Sequence, residues 1–168
     1  IGGAIGENDG TVTAVAATGS VEGNSNVGGL VGRNLDGGNI RESYATSTVL
    51  DSRYVGGLVG FNDGGSVADA FASGNVTGQD VGGLVGWNQD GDIQRSYAAG
   101  WVDGSSGSVG GLIGYHSAAG TIENSYWDNG TTNQSEGVSG TAGTVTNLVG
   151  FGAVGDDTPA LEMQGRSA

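Results

Sequence analysis

Apolar residues and glycines alternate in a six-residue segment that recurs along the chain. The segment reads Val-Gly-Gly-Leu-Val-Gly or a variant of it, and its copies begin at residues 1, 27, 55, 81 and 109. The period is therefore 26 to 28 residues, which is typical of proteins that stack one structural repeat. We predict a repeat array over residues 1–128, followed by a degenerate last coil and a C-terminal cap or cover over residues 129–168.

A second apolar pattern follows each segment, in which a β-branched residue precedes a mostly aromatic residue by four positions. The pairs are Val12 and Ala16, Ile40 and Tyr44, Val67 and Phe71, Ile93 and Tyr97, and Ile122 and Tyr126. These β-rich runs are separated by Gly and Asn and lack the apolar period of a helix, so they predict about three short strands per repeat. We expect one short helical turn, near residues 159–164, where Thr158 precedes Pro159.

A single coil of short strands cannot bury its own apolar side, so each coil has to stack on the next. The sequence therefore predicts an all-β fold, a parallel β-helix or β-solenoid of about five to six coils. Equivalent residues would lie one above another at about 4.8 Å. One such column would be aliphatic and face inward: Leu30, Leu58, Leu84 and Leu112.

The same pattern predicts one backbone feature and two side-chain directions. The glycine pair before each of these leucines predicts a bend in a backbone conformation that a Cβ disfavours, with close approach of neighbouring coils. Strict alternation would turn the residue after each leucine outward, as for Val31 and Val59. For the aromatic column at residues 44, 71, 97 and 126, alternation from the small neighbours and spacing from Ile40 disagree, and we favour the inward orientation.

Polar residues also recur directly after each segment. One column predicts a hydrogen-bonded side-chain ladder: Asn8, Asn34, Asn62, Asn88 and His116. Acidic residues followed by Gly come next, at Asp36, Asp63 and Asp90. Tight turns explain these acidic residues best. A Ca²⁺ site formed by adjacent coils is the alternative, although neither an EF-hand loop nor the Ca²⁺-binding nonapeptide repeat is present. We otherwise expect no cofactor.

The position between each segment and its Asn varies along the chain from Glu7 and Arg33 to three aromatic residues: Phe61, Trp87 and Tyr115. We expect these aromatic side chains to lie on the outside. They are candidates for binding sugar rings or a partner surface. Packing beneath the C-terminal segment explains the column equally well, and we slightly favour this second role.

Charge and composition exclude several classes of function. The net charge is −13, and all five basic residues are arginines. Such a surface repels nucleic acid and anionic membranes. It would suit concentrated salt, where self-repulsion is screened, although an ordinary soluble extracellular protein is an equally good interpretation. The absence of Cys excludes disulfides and thiolate metal sites.

Catalytic constellations are missing from the sequence, and we expect no enzymatic activity. His116 is the one histidine and the one candidate imidazole base, and no triad spacing accompanies it. Carboxylates recur in every coil, so a glycosidase pair stays open as an alternative. Three sequons permit N-glycosylation in a secreted protein, at Asn75, Asn129 and Asn133.

The segments resemble the GLUG motif, which is named for its Gly-Leu-hydrophobic-Gly core. That core stands at residues 29–32, 57–60, 83–86 and 111–114, and the Ser-Tyr-Ala at 43–45 and 96–98 resembles the rest of the repeat. The first coil departs from the motif at Ala4 and Ala16. The resemblance implies a place in a large secreted or surface-displayed prokaryotic protein, such as a haemagglutinin-like adhesin or an IgA-cleaving metallopeptidase, and implies no catalytic residue.

From these observations we expect a structural or adhesive segment of an extracellular or cell-surface protein, as a stalk, adhesin or filament component. Its partners would be other proteins, glycans or copies of itself. A carbohydrate-binding or carbohydrate-active module is the alternative, and a self-assembling fibre subunit is a second one. This chain begins at Ile1 without an initiator Met, which we interpret as a segment of a longer protein.

Overall fold

The computed structural model describes residues 1–50, 53–117, 119–140 and 143–152. Within them the chain winds into stacked coils whose strands form parallel sheets, which confirms the predicted all-β solenoid. Each inner coil contributes five short strands rather than the three expected from sequence, because the chain bends at the Gly-Leu step, as at residues 57–58, and at left-handed residues such as Asp69. The predicted helical turn near residues 159–164 lies outside the described residues.

Four sheets run along the solenoid in the described part of the chain. The first contains β1 (Ile5–Asn8), β6 (Val31–Asn34), β11 (Val59–Asp63), β16 (Val85–Gln89) and β21 (Ile113–Ser117). The second contains β5 (Val27–Gly28), β10 (Val55–Gly56), β15 (Val81–Gly82) and β20 (Val109–Gly110). The fourth contains β4 (Ser20–Glu22), β9 (Thr48–Leu50), β14 (Val76–Gly78) and β19 (Val102–Gly104).

The third sheet is bent and carries two rows of strands that merge at the C-terminal end. One row is β2 (Thr11–Thr13), β7 (Asn39–Arg41), β12 (Ser66–Ala68) and β17 (Asp92–Gln94). The other is β3 (Ala16–Ala17), β8 (Tyr44–Ala45), β13 (Phe71–Ala72) and β18 (Tyr97–Ala98). Both rows pair with β22 (Thr121–Asp128), and β22 pairs with β23 (Thr144–Phe151).

In the sheets, each residue pairs with the residue at the equivalent position of the neighbouring repeat. Val59 pairs with Val31 on one side and with Val85 on the other, and Val67 pairs in the same way with Ile40 and Ile93. Each column found in the sequence is therefore a column in space. A coil that stacked one residue out of register would turn its own apolar side chains away from the interior, so the repeated pattern specifies the stacking.

Both the leucine and the residue after it face the interior, which corrects the prediction that the second of the two faces outward. Leu58 and Val59 are both 0% exposed. Their two amides donate to the same carbonyl oxygen, that of Leu84, at 2.9 and 3.0 Å. The chain therefore bends between them, and strict alternation no longer applies.

The glycine pairs separate two hydrophobic cores. The larger core contains the leucine column, and the smaller one contains valines such as Val55 and Val81. A Cβ built on Gly57 would clash with the carbonyl oxygen of Gly83 in the next coil and would lie 2.8 Å from the Cβ of Ala72 in its own coil. The pairs have no positive φ, so the expected backbone conformation was wrong and the predicted close approach explains the glycines.

A left-handed residue in each coil turns the aromatic column outward, against our expectation. Glu42, Asp69 and Arg95 have φ of 50°, 51° and 46°. This kink changes the face on which the following residues lie, so Tyr44 is 37% exposed while Ala45 is buried. A buried serine follows the kink in several coils; the Ser96 hydroxyl donates to the carbonyl of Gln94 and accepts from the amide of Ala70 in the neighbouring coil.

The C-terminal end of the solenoid is covered by a partial sixth coil. Val138 pairs with Ile113, and β23 pairs with β22 along its whole length, from Thr144 to Phe151. A single helical turn, α1 (Asn129–Thr132), joins these parts of the chain. The buried carboxylate of Asp128 accepts hydrogen bonds from the amides of Gly130 and Thr131 and so caps this turn.

Candidate functional site

The Asn column forms a continuous ladder of side-chain amides. The Nδ2 of each Asn donates to the Oδ1 of the next, at 2.8 Å from Asn8 to Asn34, 2.8 Å from Asn34 to Asn62 and 2.7 Å from Asn62 to Asn88. His116 ends the ladder, with its Nδ1 3.0 Å from the Nδ2 of Asn88. Since His116 is 0% exposed, its imidazole lies in the interior and contacts no bulk solvent.

The Asp residues of the turns hold neighbouring coils together. Asp63 accepts a hydrogen bond from Arg33 at 2.9 Å, and the Oδ1 of Asp90 accepts from the amide of Ala119 at 2.9 Å. Asp36 is exposed and lies against Gly64 of the next coil. In the described part of the chain, no three His, Asp or Glu side chains are grouped closely enough to hold a metal ion.

A stack of three aromatic rings runs along the third sheet. Tyr44 and Phe71 lie 4.7 Å apart with planes at 2°, and Phe71 and Tyr97 lie 5.0 Å apart with planes at 6°. Partial burial raises the pKa of Tyr97 above its ordinary value. Because parallel stacking occupies both faces of Phe71, the stack presents ring edges to solvent and is a poor surface for a sugar ring.

The other aromatic column, at Phe61, Trp87 and Tyr115, lies on the outside of the solenoid, and Trp87 and Tyr115 line a cleft there. Phe61 and Trp87 lie 5.2 Å apart, and Trp87 and Tyr115 lie 5.9 Å apart with planes at 81°. Tyr54 lies beside them, 4.6 Å from Trp87. Gly140 of the partial sixth coil contacts Tyr115, yet Tyr115 is 38% exposed. The column is thus only partly covered by later chain.

Two charged side chains complete this aromatic cleft, which is lined by Arg53, Tyr54, Asp80, Trp87 and Tyr115 and has a volume of about 180 Å³. The guanidinium of Arg53 lies 4.6 Å above the ring of Tyr54, and its Nε is 3.8 Å from the Oδ2 of Asp80. The other oxygen of Asp80 accepts from the amide of Ser108 at 3.0 Å. The cleft therefore combines apolar walls with one donor group and one acceptor group.

Sequence reasoning missed Arg53, Tyr54 and Asp80 because they precede the recurring segment, in a stretch without apolar periodicity. The sequence did contain one signal for these residues, because their column departs from the repeat. Tyr54 and Asp80 occupy the column that begins with Asn26 and ends with Ser108, as the pairing of the following valines shows. A column that changes from amide to aromatic ring to carboxylate is unlike the uniform interior columns.

The three sequons lie in different environments. Asn75 is exposed, and its Oδ1 accepts a hydrogen bond from the amide of Trp101 at 3.2 Å. Asn129 and Asn133 are partly buried at the start and the C-cap of α1. Asn75 therefore has the most accessible side chain of the three.

No helix in the described ranges is long and apolar enough to cross a membrane. No solved structure matches the chain. It is similar to halomucin of Haloquadratum walsbyi, with 52% identity over 61 residues, which cover 36% of this chain and 1% of that protein. The GLUG motif matches residues 23–50, 51–77, 78–103 and 105–132. These matches begin after the first coil, where Ala4 and Ala16 depart from the motif. The chain therefore belongs to the family defined by the GLUG motif.

Proposed function

We propose that this chain is a non-enzymatic, rigid segment of a cell-surface protein, which acts as a stalk or spacer and presents its side faces to the surroundings. The observation that carries the proposal is the uniform interior. Leucines, valines and the amide ladder fill the same positions in coil after coil. Such repetition specifies a stiff rod whose length is set by the number of coils.

The interior location of His116 supports a structural rather than a catalytic role. A general base has to reach a substrate proton, and the imidazole of His116 is buried in the fifth coil and hydrogen-bonded to Asn88. The similarity to halomucin supports the surface location, because its name describes a mucin and mucins are extracellular. The chain spans only 1% of that protein, so the activity of the whole protein is part of the proposal.

Antibodies raised against the recombinant chain test the location. We expect them to label intact cells that produce the full-length protein as strongly as permeabilised cells. In a second arm, residues 23–132 are replaced by an equally long Gly/Ser linker or by an unrelated solenoid array. Four coils stacked at about 4.8 Å span about 19 Å, whereas a flexible linker of about 110 residues has a root-mean-square end-to-end distance of roughly 60 Å. If the segment is a spacer, the solenoid array keeps a short and narrow distribution of distances between spin labels placed directly before and after it, and the linker makes this distribution longer and broader. Labelling that requires permeabilisation contradicts the surface location.

We further propose that the segment is adapted to concentrated salt. Exposed acidic side chains are distributed over the coils, including Glu22, Asp36 and Asp103. Arg33, Arg53 and Arg95 are already paired with acidic partners. Arg95, for example, binds Asp69 through two nitrogens at 2.7 and 2.8 Å and holds the pKa of that carboxyl below its ordinary value. The remaining excess of negative charge destabilises the folded state unless salt screens it.

The melting temperature is therefore expected to rise with NaCl by roughly 5–10 °C between 0.01 and 1 M, as the screening length falls from about 30 to about 3 Å. The control is a triple variant, Glu22→Gln, Asp36→Asn and Asp103→Asn, which removes three exposed charges. It should be more stable than the wild type in low salt and less sensitive to added salt. Equal melting temperatures of the wild type across this range would rule out salt adaptation.

A further inference from the structure

We propose that the aromatic cleft of Arg53, Tyr54, Asp80, Trp87 and Tyr115 binds one ring of a neutral oligosaccharide. The role goes beyond that of a stalk, because a rod needs no cleft. Three independent features of the cleft carry the proposal: a break in the repeat, a strained aromatic residue and a matched pair of polar groups.

The break in the repeat concentrates unusual residues at one place. Uniform columns such as the Asn ladder serve the stacking of coils, which every coil needs equally. The columns that line the cleft change residue type from coil to coil: Glu7, Arg33, Phe61, Trp87 and Tyr115 in one, and Asn26, Tyr54, Asp80 and Ser108 in the other. Stacking does not require these changes, since the first two coils stack without them.

Tyr54 holds a backbone conformation that suits Asn better than Tyr. Its φ is 58°, and Asn26 in the same column has φ of 53°. Asn visits the left-handed region readily, whereas a bulky residue such as Tyr is uncommon there. The strained backbone places the ring of Tyr54 against Trp87 and beneath the guanidinium of Arg53. The strain therefore maintains one wall of the cleft.

The polar groups identify the chemical class of the ligand. Arg53 supplies donors, and its side chain is 60% exposed. The Oδ2 of Asp80 is approached by Arg53 only at 3.8 Å, so it keeps capacity to accept hydrogen bonds. Hydroxyl groups both donate and accept, so they suit a neighbouring guanidinium and carboxylate. The apolar C–H face of a pyranose ring suits the aromatic walls.

Charge and size exclude other classes of ligand. Asp80 and the net charge of −13 oppose an anion, and Arg53 opposes a cation inside the aromatic walls. A volume of about 180 Å³ lies below the roughly 300–1,000 Å³ of pockets for drug-sized molecules. The cleft therefore suits one sugar ring, with the rest of the glycan running over the outer face of the solenoid.

Calorimetric titration and saturation-transfer NMR of the intact chain test the proposal. The neutral probes are tetrasaccharides of glucose, galactose, mannose and N-acetylglucosamine, in α- and β-linked forms. Tetragalacturonate and tetramethylammonium serve as the anionic and cationic probes. We expect at least one neutral tetrasaccharide to bind and the two charged probes not to bind. Binding of no neutral probe, or stronger binding of a charged probe, would overturn the proposal.

Substitutions of residues that line the cleft then test whether the cleft is the binding site. Tyr115→Ala removes an exposed wall, and Asp80→Asn removes the charge but keeps an oxygen for the amide of Ser108. Each should lower the affinity about tenfold or more, since hydrogen bonds to charged groups and aromatic contacts dominate small sites. Trp101→Ala is the control, because Trp101 is 41% exposed and lies outside the cleft. If one of these variants has a lowered melting temperature, Arg53→Gln replaces it in the test, because Arg53 is at an exposed position. Affinity unchanged by all cleft variants, or lost with Trp101→Ala, contradicts the assigned site.

Discussion

Gly86→Ala is expected to lower the free energy of unfolding by about 3 kcal/mol, the upper end of the usual cost of overpacking, whereas Gly6→Ala leaves it unchanged or raises it slightly. Both glycines occupy the last position of the recurring segment, in β16 and β1. A Cβ on Gly86 would lie 2.6 Å from the carbonyl oxygen of Gly60 and 2.6 Å from the amide nitrogen of Val55, both in the neighbouring coil. Backbone atoms cannot rotate away, so the two coils would have to separate.

The same substitution at Gly6 meets open space, since nothing lies within 4 Å of the added Cβ. Alanine also reduces the entropy of the unfolded chain, which stabilises by about 0.4–1 kcal/mol when the native conformation accepts it. Urea unfolding of the two variants and the wild type measures both effects. Equal stabilities of the two variants would show that the distance between coils adjusts freely, and the explanation of the glycines would then be wrong.

The periodic interior was predictable from sequence because it depends on identity between coils. A residue that recurs every 26 to 28 positions must meet its own copies in a parallel stack, and this reasoning yields the fold class and the columns. It says nothing about kinks within a coil. The shared carbonyl of Leu84 and the left-handed Glu42 break the alternation locally, so the directions of Val59 and Tyr44 were wrongly predicted.

Only part of the candidate site was predictable from sequence, because its residues differ from coil to coil. Phe61, Trp87 and Tyr115 attract notice as aromatic residues in a column that is otherwise charged. Tyr54 and Asp80 differ in chemistry and lie before the recurring segment, so no single-column pattern joins them to Trp87. Only the fold of the coil brings the two columns together. Residues that deviate from the repeat can be joined into one site only from the structure, because the sequence repeat relates equivalent positions and does not relate different columns.

Asn62→Ala is expected to destabilise the protein by about 3–5 kcal/mol, because Asn62 lies in the middle of the amide ladder. Its Oδ1 accepts from Asn34 at 2.8 Å, and its Nδ2 donates to Asn88 at 2.7 Å and to the carbonyl of Gly65 at 2.9 Å. Asn62 is 0% exposed. Alanine would leave the Oδ1 of Asn88 buried without its donor, which costs about 1–3 kcal/mol, and it would open a cavity the size of the lost amide. The carbonyl of Gly65 would keep only the amide of Asp92 as a donor, at 3.0 Å.

Asn62→Asp separates hydrogen bonding from packing, because the two side chains have nearly the same shape. The carboxylate can accept from Asn34, but it has no donor for Asn88 or Gly65 and brings its charge close to their oxygens. We therefore expect Asn62→Asp to be at least as destabilising as Asn62→Ala at neutral pH in chemical unfolding. Asn8→Ala is the control and should cost less, since Asn8 has one ladder neighbour and lies at the end of the stack. Near-wild-type stability of Asn62→Asp would mean that packing and not the ladder holds the coils together, because the two side chains differ in charge and hydrogen bonding but hardly in shape.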